Sequence, residues 1–81
     1  MLNSEEVTQL ARFAAENLLR LPLNPIETRL DYAFRQTLMR GPTAAERSLF
    51  LEYMQDESDS IDVWQDIYQT LFGSAEFRSL D

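Results

Sequence analysis

The chain is short and acidic, and its composition excludes several common chemistries. It has 81 residues with 14 acidic and 7 basic side chains, which gives a formal net charge of −7. All seven cations are Arg, and the chain has no Cys, His or Lys. A disulfide framework, a Cys/His zinc site, a Ser-His-Asp triad and Schiff-base lysine catalysis are therefore excluded. The acid excess also opposes nucleic-acid binding, which depends on phosphate neutralisation.

The first predicted helix covers residues 4–20. Asn3 is expected to cap its start, with Glu6 three residues later closing a capping box. Pro22 and Pro25 end it, because proline cannot donate to a helical ladder and disfavours helix in the residue before it. Apolar residues recur at helical spacing and predict one buried face. These residues are Val7, Leu10, Ala11, Ala14, Leu18 and Leu21.

The second predicted helix covers residues 25–40. Asn24 is the expected N-cap, and Pro25 occupies the first helical position, where proline is tolerated. Gly41 is expected to end the helix in the left-handed conformation, and Arg40 in the last turn suits the helix dipole. The predicted inward face is Ile26, Leu30, Ala33, Phe34, Thr37 and Leu38.

The third predicted helix covers residues 43–55, after Pro42. Thr43 and Glu46 form a second capping box of the S/T-x-x-E type. The residues expected to face the core are Ala45, Leu49, Phe50, Tyr53 and Met54.

The fourth predicted helix covers residues 60–72. Gly73 is expected to end it, and Ser74 to cap a short helical turn over 74–80 that presents Phe77 and Leu80. The apolar set of the helix is Ile61, Trp64, Ile67, Tyr68, Leu71 and Phe72.

These elements predict a single all-α domain over residues 1–81. It is a compact bundle of four helices plus a short C-terminal helical turn. We find no sustained period-two alternation and no hairpin turn signal. Short connections favour antiparallel neighbours, but short helices with aromatics crowded into the second half are equally compatible with orthogonal packing. No apolar run reaches the roughly 18 to 20 residues of a membrane span.

An acidic run between Glu52 and Asp66 is the first candidate site. An EF-hand loop starting at Asp56 would need Gly and Glu where the chain has Ile61 and Ile67, so that match fails. A looser calcium site would use Asp56, Asp59 and Asp62. The competing and favoured interpretation is a solvated loop whose acids stabilise the start of the fourth helix.

Paired carboxylates are the catalytic chemistry that the composition leaves open. The pairs all fall at helix starts or in the loop, and a chain this small offers little room for a deep pocket. We therefore expect no enzyme and no cofactor in this chain. The pairs are Glu5/Glu6, Asp56/Glu57 and Asp62/Asp66.

Four arginines surround the junction between the second and third helices, namely Arg29, Arg35, Arg40 and Arg47. A DNA-binding helix-turn-helix is one interpretation, although the third helix itself carries acids. The favoured alternative is surface pairing with Glu27, Asp31 and Glu46, where each pair is worth little. Arg40 could instead bond carbonyls at the helix end.

Three short motifs that punctuate the helices occur in order along the chain. They are Leu2-Asn3-Ser4, Leu38-Met39-Arg40-Gly41-Pro42-Thr43-Ala44-Ala45-Glu46 and Leu71-Phe72-Gly73-Ser74-Ala75-Glu76-Phe77. Together they resemble the carboxy-terminal part of a planctomycete family, domain of unknown function 1553. The two later motifs are also similar to helical domains of bacterial surface and phycobilisome-linker type. Met39 stands where the first family has Gly, which suggests that Gly41 has taken over the helix-ending role, and Gly73 stands where it has Asn.

The resemblance implies a fragment of a longer, exported protein without an established catalytic residue. Its motif residues are interpreted as folding signals rather than as a site, and they are Asn3, Arg40, Gly41, Pro42, Thr43, Glu46, Gly73, Ser74, Glu76 and Phe77. The expected function is a non-catalytic scaffold or interaction module, whose partner is the rest of a longer polypeptide or another protein. The alternative is an accessory domain of a hydrolase or redox enzyme with its active site upstream.

The charge is unevenly distributed along the chain. Residues 1–51 hold six acids and six Arg, so their charges cancel. Residues 52–81 hold eight acids and one Arg, so they carry the whole −7. If a cationic partner or a metal ion binds, it would therefore be expected at the second half.

Overall fold

The computed structural model describes residues 3–79, with side chains described for residues 3–74. It has four helices: α1 (Ser4–Arg20), α2 (Ile26–Leu38), α3 (Ala44–Met54) and α4 (Ile61–Ser79). The described range contains no strand. The all-α prediction is confirmed, and the bounds of α1 are those predicted.

Both predicted capping boxes are present. Asn3 Oδ1 accepts the Glu6 backbone N–H at 2.8 Å, and Thr43 Oγ1 accepts the Glu46 N–H at 3.1 Å. The Glu46 carboxylate returns to the Thr43 N–H at 2.9 Å. Two donors at each helix start are thereby satisfied, which explains why α1 and α3 begin at Ser4 and Ala44.

The predicted ends of α2 need correction. Pro25, not Asn24, is its N-cap, and the helix begins at Ile26. At the other end Met39 takes the left-handed conformation, with φ 62° and ψ 25°, whereas Gly41 has no positive φ. Gly41 serves a different purpose, because a Cβ there would lie 2.6 Å from Asp31 Oδ1. Met39 therefore ends the helix, and Gly41 makes room for the Asp31 carboxylate.

The predicted end of the fourth helix is also wrong. Helix α4 continues through Gly73 and Ser74 to Ser79, so the described residues show no separate turn. Gly73 has no positive φ, and a Cβ there would meet nothing within 4 Å. The backbones of Glu76 and Phe77 lie in α4, whereas their side chains and Leu80 lie outside the described part of the chain.

The core forms where α1 and α2 pack on α4. Trp64, Tyr68 and Phe34 are its largest fully buried side chains. Ala11 and Ala15 of α1 are completely buried. Small residues at these positions let α1 and α4 approach closely. The remaining buried apolar residues are Ala14, Leu18, Leu30, Ala33, Met54, Val63, Ile67 and Leu71.

Four residues predicted to face inward are exposed instead. They are Leu10, Ala45, Leu49 and Tyr53. Three of the four lie on α3, whose one fully buried side chain is Met54. Helix α3 is therefore held along one edge and presents much of its apolar surface to solvent.

Of the helices in the described residues, none combines the length and the apolar character that crossing a membrane requires.

Candidate interaction surface

The acidic loop between α3 and α4 is anchored by Arg29 of α2. The Arg29 guanidinium donates to the Ser58 backbone carbonyl at 2.8 Å and to Asp59 Oδ1 at 3.0 Å. The Trp64 indole N–H donates to the same Ser58 carbonyl at 2.7 Å. Arg29 is only 8% exposed, so the predicted surface pairing of this arginine is wrong. The buried cation instead joins the neutral first half to the acidic second half.

The weak calcium candidates do not assemble into a site. Asp59 pairs with Arg29, and Asp62 Oδ1 lies 3.3 Å from the Arg12 guanidinium. Within the described residues, no cluster of carboxylates is arranged to hold a metal ion. Asp56 is exposed and does not join Asp59 and Asp62 in such a cluster.

The corner between α2 and α3 contains the best-formed ion pair of the described residues. Arg40 donates to both carboxylate oxygens of Glu46, at 2.8 and 3.0 Å, and also to the Gly41 carbonyl at 2.9 Å. The bonds that Glu46 accepts from Arg40 and from the Thr43 N–H lower the pKa of Glu46 to about 2. The pairing with Glu46 also raises the pKa of Arg40. The predicted Glu46 pairing and the predicted carbonyl bond of Arg40 are both present. Pro42 lies in the connecting loop.

A second predicted pair links Asp31 and Arg35, at 2.7 Å, on the exposed surface of α2. Together with Arg29 and Arg40, three of the four arginines considered for a helix-turn-helix are therefore bound to the chain's own acids. Arg47 is exposed on α3.

The second and third sequence motifs meet across the fold. Arg40 and Glu46 line a shallow cleft of about 440 Å³ together with Gly73 and Ser74 of α4. This proximity is long-range in sequence, and the motifs alone did not predict it. The two charged side chains that line the cleft, Arg40 and Glu46, are paired with each other.

A hollow between α3 and α4 is a mainly apolar concave surface. Its volume is about 350 Å³, and it is lined by Leu49, Phe50, Tyr53, Asp66, Ile67 and Thr70. Leu49 is 66% exposed and Tyr53 is 54% exposed. Because these two residues are four apart on α3, they share one helical face beside the hollow.

The position of α3 explains why this hollow stays open. The Phe50 ring packs edge-on against Phe34 of α2, with centroids 5.4 Å apart, and Met54 inserts into the core. These two residues form one stripe of the helix, and Leu49 with Tyr53 forms the next. A helix of 11 residues at the margin of the core buries only the first stripe.

One hydrogen bond joins two of the residues that line the hollow. The Tyr53 hydroxyl donates to Asp66 Oδ2 at 2.8 Å, which ties α3 to α4. The bond to Asp66, with smaller contributions from desolvation and the charges of Asp66 and Glu57, raises the pKa of Tyr53. The bond fixes the Tyr53 hydroxyl beside Asp66 of α4.

Sequence reasoning assigned Leu49 and Tyr53 to the core and so missed this surface. A signal was present, because the apolar positions of α3 form two adjacent stripes, which is more than a short peripheral helix buries. The burial of Ile67, which lines the hollow from α4, was predicted correctly, since this residue is 1% exposed.

Comparisons with known proteins identify no relative: no family model, no curated protein and no solved structure matches the chain. The resemblance to the planctomycete family therefore stays a prediction.

Proposed function

We propose that this chain is a non-catalytic interaction module of a larger protein, and that the hollow between α3 and α4 receives its partner. The observation that carries the proposal is the exposure of Leu49 and Tyr53 beside an apolar concave surface. Exposed apolar side chains are common singly, but a contiguous set around a hollow is typical of binding sites.

The distribution of buried charge supports a binding role over a catalytic one. Among the side chains described, Arg29 is the only buried charged group, and it serves to anchor the acidic loop. The paired carboxylates considered as acid and base all lie at exposed positions. The hollow offers few polar groups, and the Tyr53 hydroxyl is already bonded to Asp66.

The function is tested by photo-crosslinking in the source cells. A photoreactive phenylalanine is placed at position 49, and in a matched variant at position 13, where Phe13 is similarly exposed on α1. We expect a discrete adduct from position 49 only. The adduct partner, purified and mixed with the chain, should bind the wild type and lose binding to Leu49→Ser.

Equal adducts from both positions, or none from position 49, would contradict the proposal. If the partner is a catalytic segment of the same polypeptide, the module is the accessory domain of an enzyme. If the partner is a separate protein, it is a scaffold.

A further inference from the structure

We infer that the partner of the hollow between α3 and α4 is a cationic amphipathic helix, which inserts apolar side chains between Leu49 and Tyr53 while its basic residues meet the carboxylates that border the hollow. This inference rests on the proposed function and adds the chemical class of the partner.

The lining of the hollow favours apolar side chains over a polar small molecule. Asp66 and Thr70 are the two lining residues with polar side chains other than the Tyr53 hydroxyl. A volume of about 350 Å³ is at the lower end of the roughly 300–1,000 Å³ of ligand sites. A small-molecule site buries most of its ligand's surface, whereas a helix in a groove needs only apolar anchors at helical spacing.

Carboxylates border this hollow on the side of Tyr53. Asp66 lines it, and Glu57 is close enough to contribute to the electrostatic environment of the Tyr53 hydroxyl. Glu52 is exposed on α3, three residues after Leu49, so it is a surface neighbour of that anchor. Among the described side chains, no arginine lines the hollow.

The two ends of the hollow differ in charge, and this difference should set the orientation in which the partner helix binds. At the start of α3, the neighbouring cleft contains Arg40, which is neutralised by Glu46. At the end of α3, Asp66 and Glu57 have no described ion pair. The basic residues of the partner should therefore concentrate at the end of the hollow beside Tyr53.

A designed peptide provides the test. The probe is an acetylated and amidated peptide of about 18 residues, with Leu at i, i+3, i+4 and i+7 positions on one face and Lys and Ala elsewhere. A second peptide replaces every Lys by Glu, and a third scrambles the Lys peptide so that no apolar face remains. Binding to the 81-residue chain is measured by fluorescence anisotropy, and the contact surface by amide chemical shifts.

We expect the Lys peptide to bind about tenfold more tightly than either of the other two. Raising the salt from about 50 to about 500 mM should weaken its binding severalfold. Shift changes should concentrate at Leu49, Tyr53, Asp66 and Thr70.

Matched variants locate the contacts. Leu49→Ser should weaken binding about tenfold. The same substitution at the exposed Leu10 of α1, Leu10→Ser, should leave the affinity within about twofold of the wild type. Asp66→Asn keeps an acceptor for Tyr53 but removes the charge, and should weaken binding about threefold. Glu5→Gln, which removes a charge from α1, should not. Circular dichroism confirms that each variant remains folded.

Several outcomes would overturn the inference. They are equal binding of the Lys and Glu peptides, equal binding of the scrambled peptide, an unaffected Leu49→Ser variant, or no binding at all. If the crosslink at position 49 is nevertheless found, only the class of partner is wrong and the interaction function stands. If the crosslink fails as well, both proposals fall.

Discussion

The buried Arg29 holds the acidic loop mainly through its hydrogen bond to a backbone carbonyl, and less through its ion pair with Asp59. Its guanidinium contacts the Ser58 carbonyl and the Asp59 carboxylate, but the Asp59 side chain is 88% exposed. An ion pair with so exposed a partner contributes little, whereas a shielded bond to a carbonyl is costly to lose.

We therefore expect Arg29→Ala to lower the free energy of unfolding by about 1–3 kcal/mol, and Asp59→Ala to lower it by less than about 1 kcal/mol. Arg29→Met retains the aliphatic stem and separates packing from hydrogen bonding. Urea denaturation followed by Trp64 fluorescence measures all three. Equal losses for Arg29→Ala and Asp59→Ala would show that the ion pair dominates.

The lowered pKa of the Glu46 carboxylate predicts a contribution to stability that depends on pH. Its pKa is lowered to about 2 from an ordinary value of 4.5, because Arg40 and the Thr43 N–H favour the charged form. A lowered folded-state pKa gives stability that is present above pH 4.5 and is lost as the pH falls towards 2.

Between these limits the melting temperature of the wild type should fall more than that of Glu46→Gln, which keeps the capping box without the charge. Arg40→Gln should return the pKa of Glu46 towards its ordinary value. A carboxyl-carbon NMR titration measures that pKa directly. A Glu46 pKa that is insensitive to Arg40→Gln would contradict the assigned cause.

At the scale of elements, the two helix starts with capping boxes were predictable, whereas the helix ends expected at Gly41 and Gly73 were not. Asn3 and Thr43 fix the starts of α1 and α3 through bonds that span three residues, so local sequence suffices. Glycine permits the left-handed conformation without requiring it, and the path of the chain decided that Met39 adopts it while Gly41 and Gly73 do not.

The candidate site was less predictable for the same reason. Periodicity identifies an apolar stripe, but which of two stripes on α3 becomes buried depends on Phe34, which lies 16 positions before Phe50 in the chain. The Arg29 contact joins residues that are 29 positions apart. Sequence therefore predicted the four helices and the two capping boxes, whereas tertiary packing determined the exposed surface.

Gly73 offers a direct test of the corrected end of α4. Because Gly73 lies inside a helix with open space around its Cβ position, Gly73→Ala should raise the free energy of unfolding by about 0.5–1 kcal/mol. Thermal denaturation would show a higher midpoint. A helix that ended at a left-handed Gly73 would instead be destabilised.

Gly41→Ala is the matched control for that variant. Its new Cβ would displace the Asp31 carboxylate from Arg35, so the expected change is a small loss, below about 1 kcal/mol.

The whole molecule combines a neutral half with an acidic half, and two ion pairs among the described side chains join them. Arg12–Asp62 and Arg29–Asp59 cross between the halves, while Asp31–Arg35 and Arg40–Glu46 lie within the first. The net charge of −7 already includes all seven Arg, so these ion pairs do not reduce it. Self-repulsion of this kind opposes the compact state and is weakened by salt.

The melting temperature should consequently rise by a few degrees between about 50 and about 500 mM NaCl. The double variant Asp56→Asn/Glu57→Gln removes two loop charges and should show a smaller rise. Circular dichroism at 222 nm follows both. A melting temperature that falls with salt would mean that attractive pairs outweigh the repulsion.

The exposure of Met39, which ends α2, has a consequence for the oxidation of the chain. Its side chain is 86% exposed, whereas Met54 is 2% exposed in the core. Mild peroxide should therefore convert Met39 to the sulfoxide first, with little effect on unfolding, while Met54 reacts only when the fold opens. Peptide mass spectrometry distinguishes the two thioethers, and the oxidation rate of Met54 would report the frequency at which α3 leaves the core. The two methionines thus act as a built-in pair of reporters, one for the solvent-exposed corner and one for the attachment of the helix that borders the hollow.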